Sequence, residues 1–257
     1  MLCPAVRGPI DGGDTLETLD ALWSRLITTQ PGPPLWIILL AALAALGVVL
    51  HPTAWHLSRG LITVAHEGGH AIVALLTRRK LQGIRLHSDT SGVTLTRGRP
   101  TGPGMIFTAA AGYVAPSLIG LGAAWLTAAG YITIFLWTVL LLLAGMLLMI
   151  RNIYGAIALI TIGGAVFTLS MFTPPEVQGL GAHAASWFLL FGGIRPILEL
   201  RRKRRRGRAP DSDADQLARL TPFPAGFYVF LFLLVSTACL AVGAYLLAPI
   251  TLPPLSF

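Results

Sequence analysis

Charge is what this sequence has least of. Aspartate, glutamate, lysine and arginine make up 12% of its 257 residues, about half the share found in a soluble domain, while 54% are hydrophobic. So few charges cannot clothe a water-facing surface, which excludes a purely soluble domain and leaves much of the exterior facing lipid. Cysteine is nearly missing as well. Cys3 and Cys239 show neither disulfide nor metal spacing. Residues 1–34 lack the basic-then-apolar build of a cleaved leader, so insertion is expected to begin at the first spanning helix. The apolar stretches carry no inverted repeat and few paired ionisable groups, which argues against a transporter. The short loops leave no room for a PDZ-like or nucleotide-binding insertion.

What is present is a series of apolar stretches of roughly the 20 residues that a bilayer requires. They fall at 34–51, 57–77, 105–128, 131–150, 152–172, 183–200 and 223–248. The expected fold is an all-α polytopic membrane protein of about seven transmembrane helices. Trp36, Trp55, Tyr131, Trp187 and Tyr228 lie near the expected ends, as an interfacial aromatic belt does. A short amphipathic helix is expected around Thr15–Ile27, with Leu16, Leu19, Trp23 and Leu26 on one face.

The net charge of +8 is concentrated in short stretches beside the apolar ones, above all in the run from Arg201 to Arg208. No aromatic-interleaved basic fold accompanies it, so nucleic acid is not the expected partner. Basic loops of this kind set orientation or meet anionic lipid. With seven spans and a cytoplasmic N-terminus, the cytoplasmic side receives Arg78, Arg79, Lys80, Arg85, Arg97, Arg99, Arg151 and the whole basic run. This is the asymmetry of the positive-inside rule. The chain then divides into a cytoplasmic segment 1–33, a membrane core 34–200, a basic loop 201–222 and a last helix with its tail, 223–257.

One part of the core is different. Leu81–His87 and Val93–Arg97 alternate apolar and polar residues around Asp89-Thr90-Ser91-Gly92, which predicts a β-hairpin over 81–99 at the cytoplasmic face. An open sheet edge cannot sit in lipid. The hairpin must lie in water or pack against protein.

The chemistry is concentrated in the second apolar stretch, in His66-Glu67-Gly68-Gly69-His70. Histidines at i and i+4 share a helical face, so both rings can reach one zinc ion. Glu67 between them is placed to take a proton from an activated water and return it to a leaving amine. Ionisable groups inside a span are costly and mark function. Gly68 and Gly69 give up helix propensity and let another backbone or a substrate approach.

With Thr90-Ser91-Gly92-Val93-Thr94 and Ala111-Gly112-Tyr113-Val114-Ala115-Pro116-Ser117, this motif resembles the site-2-protease family of intramembrane zinc metalloproteases, in its compact bacterial form. The resemblance covers residues 55–130 well and the rest loosely. It implies an integral protein of a bacterial cell membrane that cleaves a membrane-anchored protein in or near the bilayer, with His66 and His70 as zinc ligands and Glu67 as base. The third ligand departs from the family pattern, since no Asn-Pro-Asp-Gly or Leu-Asp-Gly motif is present. Ser212-Asp213-Ala214-Asp215 resembles an SDA-type motif of some relatives, which implies Asp213, with Asp215 and Glu199 as alternatives and His87 and His183 as further nitrogen donors. To reach His70, segment 209–221 would have to dip back into a protein-lined cavity. Otherwise these acids merely flank the basic run and cap a short helix at 216–220. By the same resemblance Asn152 is a candidate for binding substrate backbone, and a helix-start role is its alternative. A catalytically inactive relative that binds a partner is the rival function.

Overall fold

The computed structural model describes residues 28–207 and 211–248. The amphipathic helix expected around Thr15–Ile27 lies outside them. Among the described residues are eight helices and one two-stranded sheet: α1 (Leu35–Leu50), α2 (Pro52–Leu76), β1 (Lys80–Leu86), β2 (Gly92–Arg97), α3 (Pro103–Ala128), α4 (Ile132–Met149), α5 (Ile153–Phe172), α6 (Pro175–Arg205), α7 (Asp213–Leu220) and α8 (Ala225–Leu247).

The centre of the bundle is α6, packed against α3, α8 and α1. Close approach depends on residues without bulk, as it does where helices meet in lipid. A Cβ on Gly193 of α6 would stand 2.2 Å from Ser117 Oγ of α3, and one on Gly192 would stand 2.7 Å from Ile62 of α2. α3, α4, α5 and α8 are each long and apolar enough to cross a membrane. At 31 residues, α6 has the length, yet it carries Glu176, Gln178, His183, Arg195 and Glu199.

The expected stretches 34–51 and 57–77 do not form two antiparallel spans. They are α1 and α2, which meet at 100° and pass as membrane-crossing only as a bent pair, giving four or five candidate spans among the described residues where about seven were expected. The cause is local. Pro52 has no N–H to extend the ladder of α1 and sits in the first turn of α2, where that lack costs nothing. The side chain of His51, between the two, accepts from Ala54 N at 3.4 Å.

The bend changes where the residues leading into α1 lie. Gln30 N donates to Gly130 O at 2.9 Å, and its side chain reaches Thr133 and Gln178. Residues 28–34 therefore sit at the starting end of α6, away from Arg201–Arg206. α1 runs beside α6 in the same direction, and Leu46, Val49 and Leu50 come to border Ile194 and Leu198. α2 then lies across the bundle. Trp55 Nε1 donates to Glu199 Oε1 at 2.9 Å at one end, and Thr77 lies against Gly104 at the other. Both ends belong to the half of the molecule that carries the basic run.

The hairpin forms close to its expected range. β1 and β2 pair antiparallel, with Ile84 opposite Thr94 and Leu86 opposite Gly92. Ile84 and Leu86 are buried against Leu143 and Met146 of α4 and Leu159 of α5. The outer edge of β1 is not left open. Ile150 bridges Ile84, Arg151 N donates to Ile84 O at 2.9 Å, and the Asn152 amide takes both backbone groups of Leu86. One edge of the sheet is thus satisfied by protein, as an apolar setting demands.

Candidate metal centre

His66 and His70 project from the same face of α2, and α7 brings Asp213 to them. Asp213 Oδ2 stands 3.3 Å from Nε2 of each ring, and the two Nε2 atoms are 3.1 Å apart. Donors held 2.0–2.2 Å from one ion at tetrahedral angles stand about 3.3–3.5 Å from each other. The three atoms therefore describe one face of such a tetrahedron. Asp213 Oδ2 is also buried with no hydrogen-bond partner among the described residues. A buried carboxylate oxygen left in that state costs about 1–3 kcal/mol or more, a cost that a cation at this point would offset. The donor set, two imidazoles and a carboxylate with a fourth position open, is of the type that catalytic zinc uses.

Each donor is held from behind. His70 Nδ1 lies 2.7 Å from Thr108 O of α3, so this nitrogen carries the proton and Nε2 turns its lone pair inward. His66 packs edge-on to Tyr113. Both rings lie where α3 has no side chain: a Cβ on Gly112 would be 2.3 Å from His70 Nε2.

Asp213 is placed by the short helix that it opens. Ser212 is the N-cap of α7, and its hydroxyl both accepts from Asp215 N and donates to Asp215 Oδ2. Asp215 pairs with Arg204 at the end of α6. Ala214 and Leu217, both fully buried, pack against Ala109 of α3 and Phe232 of α8 in one cluster. Segment 211–221 does dip back into the bundle.

Glu67 leaves α2 in a different direction and is 4% exposed. Thr94 Oγ1 of β2 donates to its Oε2 at 2.6 Å, and a Cβ on Gly92 would come within 2.7 Å of its Oε1. Thr63 Oγ1 donates to Thr90 O at 2.7 Å, tying the hairpin turn to α2 one turn earlier. Gly92, Thr94, Thr108 and Gly112 were not singled out by sequence as parts of the site. Three of them, Gly92, Thr94 and Gly112, fall within the stretches that carry the resemblance, and strand alternation puts Gly92 and Thr94 on one side of β2.

The other candidates lie elsewhere. Asp215 is engaged with Arg204 and Ser212. Glu199 accepts from Trp55 and meets Arg59 and Arg195. His87 is exposed at the hairpin turn beside Ser91, and His183 lies buried on α6 against Gly179 O. Asn152 occupies the N-cap position of α5 without capping it. Its Nδ2 donates to Leu86 O at 2.6 Å, and its Oδ1 accepts from Leu86 N at 3.2 Å.

A family model described as Peptidase M50B-like matches residues 39–243. The chain belongs to this family, that of the site-2 proteases. It is thus an integral membrane protein of a metallopeptidase family. No curated protein and no solved structure matches it.

Proposed function

We propose that the protein is a zinc-dependent intramembrane endopeptidase in which His66, His70 and Asp213 hold the metal and Glu67 is the general base. The observation that carries this reading is the triangle of donor atoms at 3.1–3.3 Å, closed by a buried carboxylate oxygen without a hydrogen bond. Zinc in such a site supplies a Lewis acid that acidifies water and polarises a carbonyl. Glu67 takes the proton of the attacking water and delivers it to the departing amine nitrogen. Thr94 holds Oε2 by its hydroxyl and leaves Oε1 to do this work. Thr108 fixes the His70 tautomer.

The substrate is a membrane-anchored protein, unfolded locally so that its backbone can enter beside the hairpin. Asn152 keeps one amide hydrogen and one lone pair beyond those given to Leu86, and these are available to a substrate backbone. The basic run faces the cytoplasm of a bacterial cell, by the positive-inside rule. The core 34–200, the loop 201–222 that brings Asp213, and the last helix act as one unit.

The test is zinc content and cleavage measured together on purified protein. Wild type should carry about one zinc per chain and cleave a model membrane-anchored substrate. Glu67→Gln should keep the metal and lose cleavage, while Asp213→Asn should lose most of the metal. A folded wild type that takes up no zinc sinks the reading. Zinc without cleavage across a range of anchored substrates would favour a binding scaffold.

A further inference from the structure

Beyond the metal centre, the end of α6 and the beginning of α8 flank an open groove of about 320 Å³. Arg201, Arg204 and Arg205 line one wall, at i, i+3 and i+4 of α6. Val229, Phe230 and Leu233 line the other, at i, i+1 and i+4 of α8. One wall is therefore a helical face of guanidinium groups, and the facing one is apolar. Arg201 and Arg205 make no ion pair among the described residues, whereas Arg204 pairs with Asp215. Helix α8 is long and apolar enough to cross a membrane, and Phe230 is 61% exposed on it. The cationic wall thus stands at the level where α8 enters its apolar stretch.

We propose that this groove binds an anionic phospholipid, its phosphate on Arg201, Arg204 and Arg205 and the upper part of one acyl chain along Val229, Phe230 and Leu233. Three guanidiniums match the charge and the oxygen geometry of a phosphodiester. The apolar wall is what a free phosphate or a nucleotide would leave bare. The volume is near the lower end of ligand pockets, about 300–1,000 Å³, which suits a headgroup and glycerol while the chains remain in the bilayer. A guanidinium has five N–H donors, so Arg204 holds Asp215 with some and the phosphate with others. Bound lipid therefore steadies α7 through Asp215, two residues from Asp213. The site needs neither metal nor peptidase activity, so its failure and that of the function proposed above are separate outcomes.

The test uses the full chain in nanodiscs of phosphatidylcholine with increasing phosphatidylglycerol. Native mass spectrometry reads the retained lipid, and hydrogen exchange reads the α7 amides. Wild type should retain phosphatidylglycerol with about tenfold preference, and its α7 amides should exchange more slowly as the anionic lipid is added. Arg201→Gln with Arg205→Gln keeps the Arg204–Asp215 pair and should lose both effects. Arg202→Gln with Lys203→Gln removes two charges outside the groove and should keep them. Equal losses in the two double variants would overturn the site in favour of diffuse charge. Equal protection of α7 by inorganic phosphate would overturn the lipid as its ligand.

Discussion

A Cβ on Gly112 would stand 2.6 Å from His66 Nε2 as well as 2.3 Å from His70 Nε2, closer than real atoms approach. Neither ring can retreat freely, because His70 is tied to Thr108 O and His66 lies against Tyr113. Gly112→Ala should therefore turn both imidazoles and lower zinc affinity by about 10–100-fold, the range found when support behind a metal ligand is lost. Chelator competition measures it, and unchanged affinity would show that the rings do not depend on this gap. The metal ligands themselves were legible in the sequence, since i,i+4 spacing fixes a shared face whatever surrounds it. Gly112 was visible only as part of a resemblance, because a glycine reads equally as helix packing. Thr94 was less legible still. Alternation in β2 shows that two faces exist but not which one turns inward. Here the apolar Val93 and Leu95 are 45% and 42% exposed, and the face with Gly92 and Thr94 meets Glu67.

At the scale of the element, α7 determines whether the third donor arrives. Eight residues are too few for an isolated helix, so α7 depends on its cap, its pairing with Arg204 and the burial of Ala214 and Leu217. Sequence suggested a short capped helix here, and the structure starts it at Asp213 rather than 216. What sequence left undecided was its direction, because that depends on a cavity formed by α3 and α8. Ser212→Ala removes the cap and should cost about 1 kcal/mol, read as a lower thermal midpoint together with faster release of zinc to a chelator. Asp215 adds a pH dependence. Burial acts to raise its pKa, but Ser212 and Arg204 outweigh that and hold it below the ordinary 3.8. A depressed folded-state value means that the contribution is complete above 3.8 and is lost as pH falls through the lower value. Protection of the α7 amides, corrected for the intrinsic pH dependence of exchange, should thus be constant from neutrality down to about pH 5 and fall at lower pH. Asp215→Asn should lose that acid-side fall, and a fall that persists in this variant would assign it to another group.

For the whole molecule, apolarity gave the lengths of the membrane elements but not their directions. Counting positive charges placed Arg78–Lys80, Arg151 and the basic run on one side, and the structure gathers these at one end. The same count is satisfied whether 34–77 crosses twice or enters once and turns, because the basic residues it counted, Arg78 onward, all follow the turn and only Arg7 and Arg25 precede it. Only the contacts separate the two cases: Gln30 lies with Gly130 and Gln178, and α2 meets α1 at 100°. The residues just before α1 and the hairpin turn should then face opposite sides of the membrane. Gly32 has open space around it and Ser88 is exposed, so Gly32→Cys and Ser88→Cys can be made singly in a chain with Cys3 and Cys239 replaced by serine. A membrane-impermeant maleimide added to sealed cells should label position 32 and leave position 88 unlabelled until the membrane is opened. Labelling of both positions under the same condition would mean that 34–77 crosses twice. The two histidines would then sit on a true span, and α7 would have to reach them from one end of it rather than meet a helix lying across its own half of the molecule.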